Sequence, residues 1–357
     1  MRAGASGGRA RAQRRARLRA KMACMTTLQE TRLSMLDLVA LREGGSVGDA
    51  LRLALRTARH VEALDFTRYW LAEHHNMPGI ASSATAVLVG HIAAGTQRIR
   101  VGSGGVMLPN HAPLLVAEAF GTLAELHPGR IDLGLGRAPG TDPLTMRALR
   151  RERFESEEDF PRDVAELQQL LDEAAPGQRL VAVPGAGTRV PIWLLGSSLF
   201  SARLAAQRGL PYAFASHFAP RLLLPALELY RREFKPSATT PRPYVIIGVP
   251  LVAADDDAQA QLLASSLFQR VLGIVSGRRT RLQPPRPGFF DQLDAAQRAA
   301  IADFLGAAVI GGPDTVRRGF AALHETTAAD EFMLTCDVYD ACARLRALDL
   351  AAAALRG

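Results

Sequence analysis

Cysteine, aromatic residues and long apolar runs are all scarce in this chain, and each scarcity removes a class of protein. The three cysteines, Cys24, Cys336 and Cys342, are odd in number and widely spaced. That excludes a disulfide framework, offers no thiolate metal pattern and fits a reduced, cytoplasmic compartment. No apolar run is long enough to cross a bilayer, so no membrane span is expected. Aromatics supply only 6% of the 357 residues while hydrophobic residues in total supply 48%, so the core must be aliphatic. A chain of this length suits one α/β barrel as well as it suits two domains.

Acids are missing from the N-terminus. Arg2, Arg9, Arg11, Arg14, Arg15, Arg17, Arg19 and Lys21 precede the first acid, Glu30, and account for the whole formal net charge of +8. The body is therefore neutral. A basic arm can serve nucleic acid, a membrane surface or targeting. This one lacks aromatics and apolar periodicity, so residues 1–30 are expected to be a disordered extension, with Met22, Met25 or Met35 as a natural beginning. Residues 31–357 are expected to form a single domain. Nothing in the body calls for nucleic acid.

From there, short apolar runs alternate with amphipathic stretches. Strands are predicted at 33–40, 69–72, 99–106, 131–136, 192–195, 212–215, 244–252 and 331–335. Ser46 and Asp49 open a capping box, with Leu51, Leu55, Ala58 and Val61 on one helical face. Further helices are predicted at 85–94, 113–126, 163–171, 201–207, 222–234, 258–271 and 341–355. About eight β-then-α units imply a parallel sheet closed into a (β/α)8 TIM barrel with long loops at its C-terminal rim. Two stretches break the rhythm, 139–160 (polar and charged) and 277–290 (rich in Arg and Pro), and such loops serve as lids and binding segments or as plain excursions.

Four motifs fall at strand ends. Glu73-His74-His75-Asn76 follows the second strand. Adjacent strand residues point to opposite faces, so His74 and His75 do not easily share one ion; no H-x-H or H-E-x-x-H pattern supports a metal elsewhere, and none is expected. A rim histidine suits hydrogen bonding or proton transfer. In Val101-Gly102-Ser103-Gly104-Gly105-Val106 the glycines mark a bulge, or a side-chain-free surface for a planar ring. In Asp132-Leu133-Gly134-Leu135-Gly136-Arg137 alternate glycines clear one face, and Arg137 stands where it can pair with a phosphate; this is not a G-x-G-x-x-G fingerprint, so no Rossmann reading follows. Gly196-Ser197-Ser198 leads into a helix that includes Ser201, placing hydroxyls and backbone N–H groups together, although serine also caps helices for structural reasons alone.

The runs Trp70-Leu71-Ala72-Glu73-His74-His75, 101–109, 129–137 and 193–211 resemble those of the bacterial luciferase-like flavin monooxygenases. Within them the chain is similar to the group that includes the mensacarcin-pathway monooxygenase. The resemblance implies a monooxygenase that uses reduced FMN and O2 on a small apolar organic substrate. It further implies a homodimer and an FMN supply from a separate reductase. Gly104 and Gly105 match a non-proline cis peptide or bulge beneath the flavin ring, with Ser103 beside them. Arg137 matches a phosphate-binding arginine, and Gly136 stands where luciferase has a reactive cysteine. Gly196, Ser197, Ser198 and Ser201 match the segment that holds ring and phosphate, and His74 matches a catalytic histidine. Ala341 follows Tyr339-Asp340 where relatives carry histidine, and aldehyde specificity does not transfer. Hydride transfer with the deazaflavin F420 on the same barrel, or non-catalytic flavin binding, are the other readings.

Overall fold

A computed structural model describes residues 27–138, 143–149 and 159–356. The basic arm at 1–26 and most of the polar stretch at 139–158 lie outside the described residues. The strands are β1 (Arg32–Asp37), β2 (Arg68–Leu71), β3 (Arg100–Met107), β4 (Ile131–Gly136), β5 (Ile192–Gly196), β6 (Tyr212–Phe214), β7 (Val245–Ala253), β8 (Val309–Gly311) and β9 (Glu331–Thr335). β1 to β7 pair in chain order, β7 pairs β9 and β9 pairs β1, every pair parallel, so eight strands close a TIM barrel.

All eight strands predicted for the barrel are present. β8 was not foreseen, nor were the helices Ala295–Phe304 and Pro313–Thr327 around it. β8 stands outside the barrel: the last residues of β7, Leu251 to Ala253, run past β9 and pair with it instead. Three residues are too few to show a period.

Local chemistry sets the helix starts. Ser46 accepts from the Asp49 amide and Asp49 returns a bond to the Ser46 amide, so the predicted capping box opens Val47–Ala63. Among the described residues no helix is long and apolar enough to cross a membrane.

The barrel interior is layered. At the N-terminal end Arg68 binds Asp132 and Glu331, each at 2.7 Å. Above it the Arg68 guanidinium lies 4.3 Å from the Trp193 ring, and Trp193 meets Trp70 edge to face at 5.5 Å. Leu36, Ala72, Ala213, Ile246 and Met333 complete that apolar layer. The two tryptophans thus separate a buried ion cluster from whatever lies at the C-terminal rim.

Candidate active site

The rim holds a cavity of about 480 Å³ lined by Leu36, Leu38, Ala72, His74, Gly104 and Met107 on the β1 to β3 side and by His217, Leu267, Arg270 and Asp337 opposite. Gly104 forms part of its floor. The Gly104–Gly105 peptide is cis, and the β3–β4 register slips between Ser103 and Val106, a bulge. A Cβ at Gly104 would lie 2.6 Å from Leu36 Cδ1 and 3.0 Å from Trp70 Cβ, and one at Gly105 would lie 2.8 Å from the Gly134 carbonyl oxygen. A Cβ would collide at either place, and Gly104 leaves bare backbone at the cavity above Trp70.

The two adjacent histidines, beyond the end of β2, take different partners. His74 lines the cavity, and its amide donates to the Ser82 carbonyl at 3.2 Å. His75 instead donates from Nε2 to Glu73 at 3.0 Å. Glu73, 1% exposed, also accepts from His111 Nε2 at 2.8 Å and from the Met107 amide at 3.2 Å. Burial pushes the Glu73 carboxyl up, but these bonds, that of His111 foremost, outweigh it and hold it below its ordinary value. It is therefore a carboxylate that accepts from both imidazoles, which accounts for the closeness of the three groups without an ion. Glu73 ties the end of β2 to the turn after β3 and so fixes Met107 at the cavity wall.

His111 and His217 were missed in the sequence. Each follows a strand at the C-terminal rim, the one signal available. His217 Nδ1 is enclosed and has no hydrogen-bond partner among the described residues; it packs against Gly248 of β7, where a side chain would collide with it. Enclosure pulls this imidazole down to about 4, and the neighbouring His74 adds to the effect. The native state thus refuses a proton that the unfolded chain accepts below pH 6.5. Stability attributable to His217 is complete above 6.5 and is lost as pH falls through about 4. Thermal melts of His217→Asn against the wild type should show a shallower loss across that window; parallel curves would exclude the enclosure.

A second cavity of about 620 Å³ adjoins the first, sharing Phe218 and Phe304, and is lined by Ser197. Here β5 passes into helix Leu199–Arg208. Ser198 is its N-cap, and its hydroxyl makes no capping bond. Arg137, just after β4, places its guanidinium 4.4 Å from the Phe200 ring in that helix's first turn. Arg137 thus stands beside the first turn of the helix into which Ser197 and Ser198 lead.

Other expected residues face elsewhere. The Ser103 hydroxyl is buried and donates to the Gly134 carbonyl at 2.9 Å. The Ser201 hydroxyl donates to the Ser198 carbonyl at 2.9 Å, lies 3.1 Å from the Tyr212 hydroxyl and packs against Gly196. Both are engaged inside the wall. Gly136 clears space beside Met107, since a Cβ there would come within 2.9 Å of its sulfur.

Comparison with known proteins places the chain. The family model described as luciferase-like monooxygenase matches residues 31–330. The uncharacterized protein YvbT of Bacillus subtilis is 49% identical over 91% of this chain and 96% of its own. A luciferase-like monooxygenase of Escherichia coli K12 is 48% identical over 89% and 95%. Among solved structures, apo-MsnO8 is 34% identical with a TM-score of 0.80, covering 91% of this chain and 98% of its own. Two remoter structures share the fold alone. An FMN-bound 3,6-diketocamphane monooxygenase of Pseudomonas putida is 17% identical at TM-score 0.69, and an F420-dependent secondary alcohol dehydrogenase is 15% identical at 0.66. By a family model that spans most of its length and by relatives near half identical, this chain belongs to the luciferase-like monooxygenases.

Proposed function

We propose that the protein is an FMN-dependent monooxygenase that takes reduced FMN, supplied by a separate reductase, and O2 to oxygenate a small, largely apolar organic substrate. The observation that carries the reading is the pairing of two features along one rim. Side-chain-free backbone at Gly104–Gly105 offers a seat for a planar ring, and the Arg137–Ser197–Ser198 cluster offers a seat for a phosphate. FMN has both parts. When bound, it supplies the redox and oxygen chemistry.

The chain's own residues do the rest. Arg137, Ser197 and Ser198 bind and orient the phosphate. Gly104 and Gly105 would let the ring lie against backbone, and Gly136 leaves room for Met107 at the cavity wall. Leu36, Leu38, Ile80 and Val271 make the cavity wall that excludes water. The His74 imidazole, beside neutral His217, holds or moves a proton.

The likeness to F420 enzymes supports a second reading, hydride transfer on the same barrel; it rests on fold alone. Equilibrium binding to the full chain of oxidised FMN, reduced FMN and F420 separates the two. FMN bound in preference supports the monooxygenase, F420 bound in preference replaces it, and tight FMN without turnover leaves a flavin carrier. With FMN bound, His74→Ala should cut reductase-coupled turnover by roughly 10²- to 10⁴-fold with little change in FMN affinity. Unchanged turnover would remove His74 from the chemistry.

A further inference from the structure

The Arg- and Pro-rich segment at 277–290 is not absorbed by any of this. It follows the long helix Asp257–Val275 and forms part of the cavity's roof. The Leu41 amide donates to the Gly79 carbonyl, the Leu282 amide to Leu41 and the Glu43 amide to Leu282, at 2.8 to 2.9 Å. Gly79 packs so closely under the Thr280 carbonyl that a side chain would collide with it. Three loops are thereby stitched over the cavity, and Arg279 and Thr280 face it.

The charges of this roof are one-sided. Residues 276–290 contain Arg278, Arg279, Arg281 and Arg286 and no acid, in a body whose charges balance only when these four are counted. Arg281 donates to the Gly45 carbonyl at 2.7 Å, and Arg286 lies 5.3 Å from the Phe289 ring. Deeper in the cavity wall Arg270 and Asp337 cancel one another at 2.7 Å. Arg279 stands at the exposed mouth, with no acidic partner among the described residues.

We propose that the substrate is a small organic anion, its apolar body within the cavity and its anionic head on Arg279 at the mouth. This rests on the cavity being the substrate site and names the class of molecule it takes. An apolar wall with a cation that has no acidic partner among the described residues fixes orientation as well as affinity. The head group stays at the wet end, where desolvation costs least, and the hydrocarbon end is directed toward Gly104 and His74. The basic collar also raises the local concentration of anions and speeds their entry.

The test uses octanoate and its neutral counterpart octanamide, titrated calorimetrically into the full chain with and without FMN. Octanoate should bind the wild type roughly tenfold more tightly, and the advantage should shrink as salt rises. Arg279→Gln should bring the ratio near one, Arg279→Lys should restore part of it, and Arg278→Gln should leave it unchanged. Melting curves confirm that each variant is folded. Equal binding of the two probes to the wild type overturns the proposal, as does a preference that survives Arg279→Gln, or failure of both probes to bind. A wild type that prefers octanoate yet fails to bind FMN overturns the cofactor assignment and leaves the anion site standing.

Discussion

Replacing Arg68 with methionine should lower the folding stability by about 3–5 kcal/mol, the usual cost of breaking a buried ion pair by removing one partner. The Arg68 side chain is 4% exposed, while Asp132 and Glu331 are fully buried. Its guanidinium donates to Asp132 at 2.7 Å and to both Glu331 oxygens at 2.7 and 3.1 Å. Burial pulls the Arg68 guanidinium down, but the two carboxylates together raise it above its ordinary range. Burial pushes Asp132 up, and Arg68 with Arg100 holds it down. Methionine fills the space and abolishes the charge. Among the described residues Asp132 would keep Arg100 and Trp70, and Glu331 only Tyr244. Urea unfolding gives the number. A loss under about 1 kcal/mol would overturn the account of stranded charge. If the cost lies in stranded charge, Arg68→Met combined with Asp132→Leu and Glu331→Leu should recover much of it.

Arg137→Ala should weaken FMN binding by roughly 10- to 100-fold, the worth of a charge-assisted contact to phosphate. The guanidinium is held against the Phe200 ring in the first turn of the helix, a contact that a lysine does not reproduce, so Arg137→Lys should recover only part of the loss. Riboflavin, which has the ring and no phosphate, is the control. Its affinity should be the same in wild type and Arg137→Ala, because the Gly104–Gly105 seat is untouched. Should riboflavin weaken as much as FMN, Arg137 acts on the shape of the rim rather than on the phosphate. Flavin fluorescence titration reads both arms.

The barrel was legible in the sequence because each strand is a short apolar run between amphipathic helices, and a parallel sheet repeats that unit. The glycines of β3 and β4 were legible too, since glycine inside a strand has few purposes. What stayed hidden depends on partners distant in the chain. Nothing near Arg68 announces Asp132 and Glu331, and nothing near Glu73 announces His111 across 38 positions. The hydroxyls of Ser103 and Ser201 lie where the motif puts them, yet neighbouring backbone takes both. A residue type tells what a side chain can do, and only packing decides which partner it meets.

The roof over the cavity has a practical consequence. Its three segments come from two β-to-α connections and the helix-to-helix connection after Asp257–Val275, and they hold one another by main-chain bonds that are indifferent to side-chain identity. Point changes such as those at Arg279 leave that weave intact. Inserting or deleting a residue in one segment slips its bonds to the other two. Efforts to graft a new substrate range onto this barrel should therefore transplant residues 39–43, 79–81 and 280–283 together from a single donor, as one cassette.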